Sequence, residues 1–398
     1  MRYSCSHGEL QLQYDAIIIG AGPAGASTAL LLARAGWSVA IIEKKAFPRA
    51  KVCGEFISAT SHSVLETFGL ADIFQQQGGP EVRSVGLLAA DTQIISAMPE
   101  IKNSSRPYGR ALGRMVLDTE LLQAAKLAGA SVWQPCEVQA LNKIAHLYTI
   151  SLSTGNSFTT PIVIMANGSW EKPLETRFVT KKFSTDFLAF KASFTNGNLA
   201  LDYMPMLAFP GGYGGLINTS NDEISLSCCI RRDALEKVRK QFTGQSAGEA
   251  VLQHILQHVR GVRTILSGAI LKNKWLSSGP IKPGLRTCYQ NGIFYVGNIA
   301  GEAHPVIAEG ISMALQSGWL LASNLLMANP SESALIGERY QQSWNKHFKK
   351  RITVAAIFAN LAIRPWVAPL ALPLIKSCPS ILSLGAKWSG KTLLLHQN

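Results

Sequence analysis

The sequence is short of charge, of acids in particular, of patterned cysteines and of long uninterrupted apolar runs. Charged types make up 16% of its 398 residues and apolar types 47%. An ordinary soluble domain carries about 25% charged residues, so a solvated, disordered chain is excluded and some apolar surface beyond a minimal core is expected. Acids number 25 against 38 Lys and Arg, a net charge of +13. That balance favours anionic partners: phosphate cofactors, acidic lipid surfaces or nucleic acid. The basic residues are dispersed and form no recognisable nucleic-acid module, so nucleic acid is set aside. The seven cysteines stand singly apart from Cys228 and Cys229, without a CxxC knuckle. They predict reduced thiols in a cytoplasmic protein rather than a disulfide scaffold. Residues 1–13 have no apolar core, so neither a secretory signal nor a transmembrane start is expected.

What is present begins at Asp15. Ala16-Ile17-Ile18-Ile19 reads as a buried parallel strand. Gly20-Ala21-Gly22-Pro23-Ala24-Gly25 follows as GxGxxG, and a helix of small residues runs to Gly36. The first glycine permits the tight turn, the second admits a pyrophosphate, and the third lets helix and strand pack closely. A second strand, Ser38 to Ile42, ends at Glu43, whose carboxylate can accept both hydroxyls of an adenosine ribose. Strand, turn, helix, strand and acid together predict an ADP-containing dinucleotide; the motif alone does not separate FAD from NAD.

A second strand-to-helix passage lies near the other end. Ile293 to Gly297 is followed by Asn298-Ile299-Ala300-Gly301-Glu302-Ala303-His304-Pro305-Val306-Ile307-Ala308-Glu309-Gly310, and a helix starts at Ile311. This segment resembles the second FAD motif of the flavoprotein superfamily that holds para-hydroxybenzoate hydroxylase, flavin halogenases and geranylgeranyl reductases. Two departures occur: Asn298 replaces the family's Asp, and Ala308 replaces a Gly. Gly113-Arg114-Met115-Val116-Leu117-Asp118 resembles the family's Arg-led helix, and Val52-Cys53-Gly54-Glu55 its Cys-Gly loop beside the flavin.

The resemblance implies an α/β fold: a Rossmann-like, para-hydroxybenzoate hydroxylase-like FAD-binding domain, an antiparallel β-sheet substrate domain and a helical C-terminal segment. The FAD-binding domain is expected from residues 1–80, 111–175 and 286–345, the substrate domain from 81–110 and 176–285, and the C-terminal segment from 346–398. FAD is the implied cofactor, held by Gly20, Gly22, Pro23, Ala24, Gly25, Glu43, Lys44, Arg114, Val138, Gly297, Asn298, Pro305, Gly310 and Ile311. His304, Glu55 and Cys53 are the implied catalytic candidates, as acid or base, proton carrier and thiol. Ala166-Asn167-Gly168 stands where aromatic hydroxylases have Ala-Asp-Gly, which leaves the electron donor open between NAD(P)H and a separate reductase.

The expected function is FAD-dependent oxidation or reduction of a lipophilic small molecule. A monooxygenase on an aromatic, polyketide or isoprenoid substrate stands first. A geranylgeranyl reductase-like enzyme is the alternative, and a non-catalytic FAD-binding or membrane-surface adaptor the reading from another class. Tyr203, Phe209 and Tyr213 are candidates for an apolar lining. His254 and His258 lie four apart without a third ligand, and no metal site is expected. Gly385 to Thr392 matches GxxxxGK[ST] but lacks the preceding strand a phosphate loop needs. Lys346 to Arg351 precede an apolar stretch, Ile352 to Ile363, broken afterwards by Arg364, Pro365, Pro369 and Pro373. It is too interrupted to span a bilayer; peripheral contact with the inner face of a membrane and a cap on the core are the two expectations.

Overall fold

The computed structural model describes residues 2–6, 9–169, 183–220, 222–327, 332–362 and 367–391. A six-stranded sheet runs in the order Tyr289–Gln290, Ile293–Tyr295, Ile162–Met165, Ala16–Ile19, Val39–Ile42, Ser131–Trp133. Only its edge pair is antiparallel; every other neighbour is parallel. Ala16–Ile19 sits centrally, which explains a run of apolar residues without alternation: both faces are covered. Ala16, Ile18, Ile41 and Ile164 face the helices Pro23–Arg34, Arg114–Leu127 and Gly310–Leu326. Ile17, Ile19, Ala40 and Val163 face a smaller sheet that contributes Val138, Tyr148, Ile150 and Phe158.

The second large sheet holds Phe187–Thr195, Ile224–Arg231, Gly212–Asn218, Tyr203–Phe209, Ser84–Ala89 and Thr92–Ala97 as hydrogen-bonded neighbours, with Leu276–Ile281 also on the first of these. Tyr203–Phe209 and Ser84–Ala89 run parallel; the other neighbours are antiparallel. Its outer face, including Phe190, Leu207, Leu226 and Ile230, buries against three helices, Arg232–Gln241, Ala247–His258 and Arg260–Ile265. The sequence reads residues 231–253 as one helix; the structure divides it. Gly244 adopts φ 84°, and Ser246 caps the next helix by a reciprocal box with Glu249, a local signature of a new start.

The C-terminal segment packs on the molecule along two stretches. Trp344, Phe348, Ile352 and Ala355 join the core around the long helix Gly310–Leu326. Farther on, Leu372, Ile375, Leu382 and Ala386 pack against the second sheet. At the GxxxxGK[ST] pattern, the helix Ser380–Ala386 continues into a π-helical stretch, Lys387–Lys391, kinked at Gly390, and no strand leads into it. Arg364, Pro365 and Thr392 lie outside the described residues. No described helix is long and apolar enough to cross a membrane.

Candidate functional site

The fingerprint glycines divide into two that are packed and one that is open. Gly20 has φ 107°, and a Cβ there would come 2.6 Å from the Ala166 carbonyl oxygen. A Cβ on Gly25 would lie 2.0 Å from the Gly20 oxygen. On Gly22 it would meet nothing within 4 Å. Gly22 also caps the helix Pro23–Arg34 without a side-chain hydrogen bond. Its free amides and the positive end of the dipole therefore open onto space, the arrangement that receives a diphosphate.

A line of charged side chains leads away from this turn. Glu43 accepts from the Ala21 amide at 2.9 Å and the Lys45 amide at 2.9 Å, and its oxygens retain capacity for a ribose hydroxyl. Arg49 lies 3.6 Å from Glu43 and 3.7 Å from Asp118. Asp118, fully buried, takes two 2.7 Å hydrogen bonds from Arg114 one turn earlier on the same helix. Lys51 completes the cluster. Burial and the Arg114 and Arg49 guanidinium groups hold its pKa down to about 8. Three cations face two carboxylates here, and the buried Arg49 Nε has no hydrogen-bond partner in the protein. That orphaned donor and the open helix end fit a bound diphosphate.

Beyond Arg114 the Cys-Gly loop reaches the second sheet. The Cys53 carbonyl accepts from Ser227 at 2.8 Å, and its thiol faces the Glu55 amide at 3.4 Å and the Arg114 guanidinium. Glu55 adopts φ 61°, a strained value for a non-glycine residue. In this position its carboxylate forms a buried ion pair with Lys191 of the strand Phe187–Thr195. The register places Lys191 beside Ser227, Ser227 beside Gly215, and Gly215 beside Met206, so one row of the sheet's inner face crosses the loop.

His304 stands at the end of an adjacent row. Its Nδ1 is 2.9 Å from the Tyr213 hydroxyl, and its ring centroid is 5.6 Å from that of Phe187. Burial lowers the histidine pKa to about 4 and raises that of Tyr213 well above its ordinary value. Both are therefore neutral near pH 7. The hydroxyl and Nδ1 share one hydrogen bond whose direction follows the tautomer of the ring.

The two departures at the second motif have different structural settings. Asn298 donates to Ser169 at 2.9 Å and toward Glu302 at 3.4 Å. Glu302, which also takes a 2.8 Å bond from Ser169 and faces Arg286, thus stands as a buried carboxylate four residues beyond the Asn. Burial raises its pKa. Ala308 has φ 52°, the left-handed backbone that a family glycine accepts without cost. Gly297, at φ 72°, lies so close to Ala24 that a Cβ would come 2.8 Å from its methyl. Pro305 and Gly310 are exposed, Ile311 is buried, Lys44 is exposed, and Val138 lies in the core of the smaller sheet.

Residues 13–153 match the family model described as an FAD binding domain. The chain carries an FAD binding domain, and it is an FAD-dependent oxidoreductase. It is 24% identical over 397 residues to Conditioned medium factor receptor 1 of Dictyostelium discoideum, covering 91% of this chain and 74% of that protein. It is also 24% identical over 361 residues to digeranylgeranylglycerophospholipid reductase 1 of Methanococcoides burtonii, covering 85% and 81%. The solved structure of the flavin-dependent brominase Bmp2 superposes with a TM-score of 0.74 at 18% identity, over 95% of this chain and 94% of that one, a likeness of fold.

Sequence reasoning missed Arg49, Lys51, Lys191, Glu302 and, as a histidine partner, Tyr213. Lys51 had a signal, since it lies two residues before Cys53 in the Cys-Gly loop. Lys191 had one too, a lone cation in an otherwise uncharged strand. Glu302 had one as well, an acid four residues after Asn298 in the second motif, whereas the Tyr213 contact depends on tertiary pairing and had none. His254 and His258 are structural: His254 Nε2 meets the Pro210 carbonyl at 2.9 Å, and His258 Nδ1 the His254 carbonyl. No metal-holding cluster occurs among the described residues.

Proposed function

We propose that the enzyme reduces a carbon–carbon double bond in a long lipophilic, prenyl-type substrate. The observation that carries this reading is the inner face of the second sheet beyond Lys191. Val85, Met204, Met206 and Ile217 meet Phe56 of the Cys-Gly loop, Ala308 of the second motif, and Leu372 and Ile375 of the C-terminal segment. Together they form a packed apolar seam that starts beside Cys53 and Glu55, and the sheet's contribution to it is aliphatic and methionine-rich. It suits a flexible hydrocarbon better than a planar phenol, which would call for stacking and a polar anchor. A relative named for a prenyl-lipid reductase supports the same reading.

Bound FAD would supply the hydride. Gly22, Glu43, Arg49, Lys51 and Arg114 would hold its ADP and ribityl portions, and the helix at Gly310 would face the flavin ring. Lys44, Val138, Asn298 and Pro305 complete the proposed contact set. The Glu55–Lys191 pair holds the proton that the second carbon receives, and Cys53 shapes the loop beside it. The seam keeps water from the reacting carbons.

A second reading, oxygen transfer to an electron-rich ring, is favoured by the neutral His304–Tyr213 pair, a ready proton relay. One experiment separates the two. The protein is reduced without air, by NADH, NADPH or, failing both, a separate reductase system, and mixed with a prenyl alcohol and an electron-rich phenol. Reoxidation of the flavin with a product two mass units heavier supports the reductase. No reoxidation until air is admitted, with a product sixteen units heavier, overturns it in favour of the monooxygenase. A prenyl substrate of this kind is dissolved in bilayers, so the reading also places the protein in peripheral contact with a membrane.

A further inference from the structure

The last acidic residue of the chain is Glu338. From Arg339 to Asn398 the sequence holds nine Lys and Arg and no Asp or Glu. Within this stretch Lys346, Lys349, Lys350, Lys376 and Lys387 are exposed. Interleaved with them are large apolar side chains turned outward: Ile357 at 55% exposure, Leu374 at 62%, Leu384 at 44% and Trp388 at 54%. Leu384 and Trp388 are one turn apart, and Lys387 lies beside them.

The same helices are buried on their other side. Arg351, 2% exposed, donates to Gln316 at 2.9 Å, and Gln316 in turn donates to Thr60 at 3.1 Å. Glu309, fully buried at the start of the long helix, accepts from Ser58 at 3.0 Å and supports the Arg351 charge. Farther along, Leu382 and Ala386 close the seam against Val85 and Met204, and Ser383 meets Ser96 at 2.7 Å. The C-terminal helices are therefore anchored beside the proposed flavin site and form one wall of the seam, while their outer face is basic and greasy.

We infer that this outer face is a docking surface for an anionic lipid bilayer, and that a lipid chain passes from the bilayer into the seam along the wall it forms. The inference rests on the reading of the seam as the substrate site. The acid-free stretch supplies the charge complementarity, and Trp388, Leu384 and Leu374 supply apolar insertion at the headgroup level. Docking would leave the inner anchor at Arg351 in place, because that residue faces the protein and not the lipid.

The test uses the full-length, FAD-loaded protein with vesicles of phosphatidylcholine alone or with about one third phosphatidylglycerol. Binding is expected to the anionic vesicles only and to weaken with salt. Lys387→Glu should lower it roughly fivefold or more, and the double variant Leu384→Ser/Trp388→Ser roughly tenfold or more. Both variants should keep the wild-type flavin spectrum and wild-type turnover of a short, water-soluble prenyl alcohol, while losing turnover of a long prenyl substrate held in the vesicles. Equal binding to both vesicle types, or to neither, overturns the inference. So does a concentration-dependent dimer that the double variant abolishes, which would make a second copy the occupant. If vesicles bind as expected but no prenyl substrate is reduced, the docking surface stands and the reductase reading fails; turnover of the soluble substrate without vesicle binding gives the reverse.

Discussion

The two ends of the proposed cofactor cleft are built on different principles. At the ADP end, Gly20 and Gly25 are packed so closely that a single added carbon would collide with backbone, while Gly22 faces open space. At the proposed flavin end the backbone departs from the family's pattern at Asn298 and Ala308, and side chains from other segments, Ser169, Arg286 and Lys191, complete the geometry together with the neighbouring Glu302. The first end is specified by local backbone requirements, which a sequence displays. The second is specified by tertiary pairs, which it does not.

The largest effect is expected where that second principle carries a buried charge. Lys191→Met leaves Glu55 as an unpaired carboxylate beneath the sheet, and removing one partner of such a pair costs about 3–5 kcal/mol. Urea unfolding of the variant should show this loss, and adding Glu55→Gln should restore most of it. Equal instability of the single and double variants would mean that Lys191 packs rather than pairs.

The ADP end offers a contrast within a single motif. Gly25→Ala forces a methyl against the Gly20 carbonyl at 2.0 Å and should destabilise the fold by about 3 kcal/mol. Gly22→Val meets no protein atom and should leave the unfolding transition of the FAD-free protein within about 1 kcal/mol of wild type, yet yield protein without flavin after gel filtration. A Gly22→Val protein that stays yellow would show that the diphosphate does not lie over this helix.

His304 sharpens the comparison through pH. Its pKa falls from 6.5 to about 4 on folding because burial disfavours the imidazolium. A depressed base contributes stability that is fully present above pH 6.5 and lost as the pH falls through 4, because the unfolded chain then binds the extra proton. The magnitude is about 3 kcal/mol. His62 and His254 are shifted in the same direction, so the readout is the difference between wild type and His304→Gln. The variant should lose less stability between pH 6.5 and 4. Parallel pH profiles would place the acid sensitivity elsewhere.

How much was legible follows the same division. The central strand and the glycine turn announce themselves by run length and spacing, and the helices at Arg114 and Gly310 by their resemblance to family motifs. The split at Ser246 was also written locally, as Ser-x-x-Glu, but lay inside a continuous helical pattern. The fate of the C-terminal segment was not legible, because an apolar stretch beside lysines suits a lipid surface and a protein core alike. Arg351 shows why the sequence leaves both open: it sits among exposed lysines in the chain, yet its guanidinium is buried against Gln316.

The smallest effect tests whether the departure at Ala308 is a defect or an adaptation. Its left-handed backbone, φ 52° and ψ 37°, costs an ordinary residue about 1–2 kcal/mol. Glycine removes that cost but loses more chain entropy on folding, by about 0.5–1 kcal/mol. Ala308→Gly should therefore stabilise the protein by about 1.5 kcal/mol at most, seen as a small rise in the thermal midpoint. The Ala308 methyl, however, also touches the seam beside Phe56 and Ile375. A lower midpoint would show that this contact outweighs the strain, and that the alanine is retained to line the apolar path.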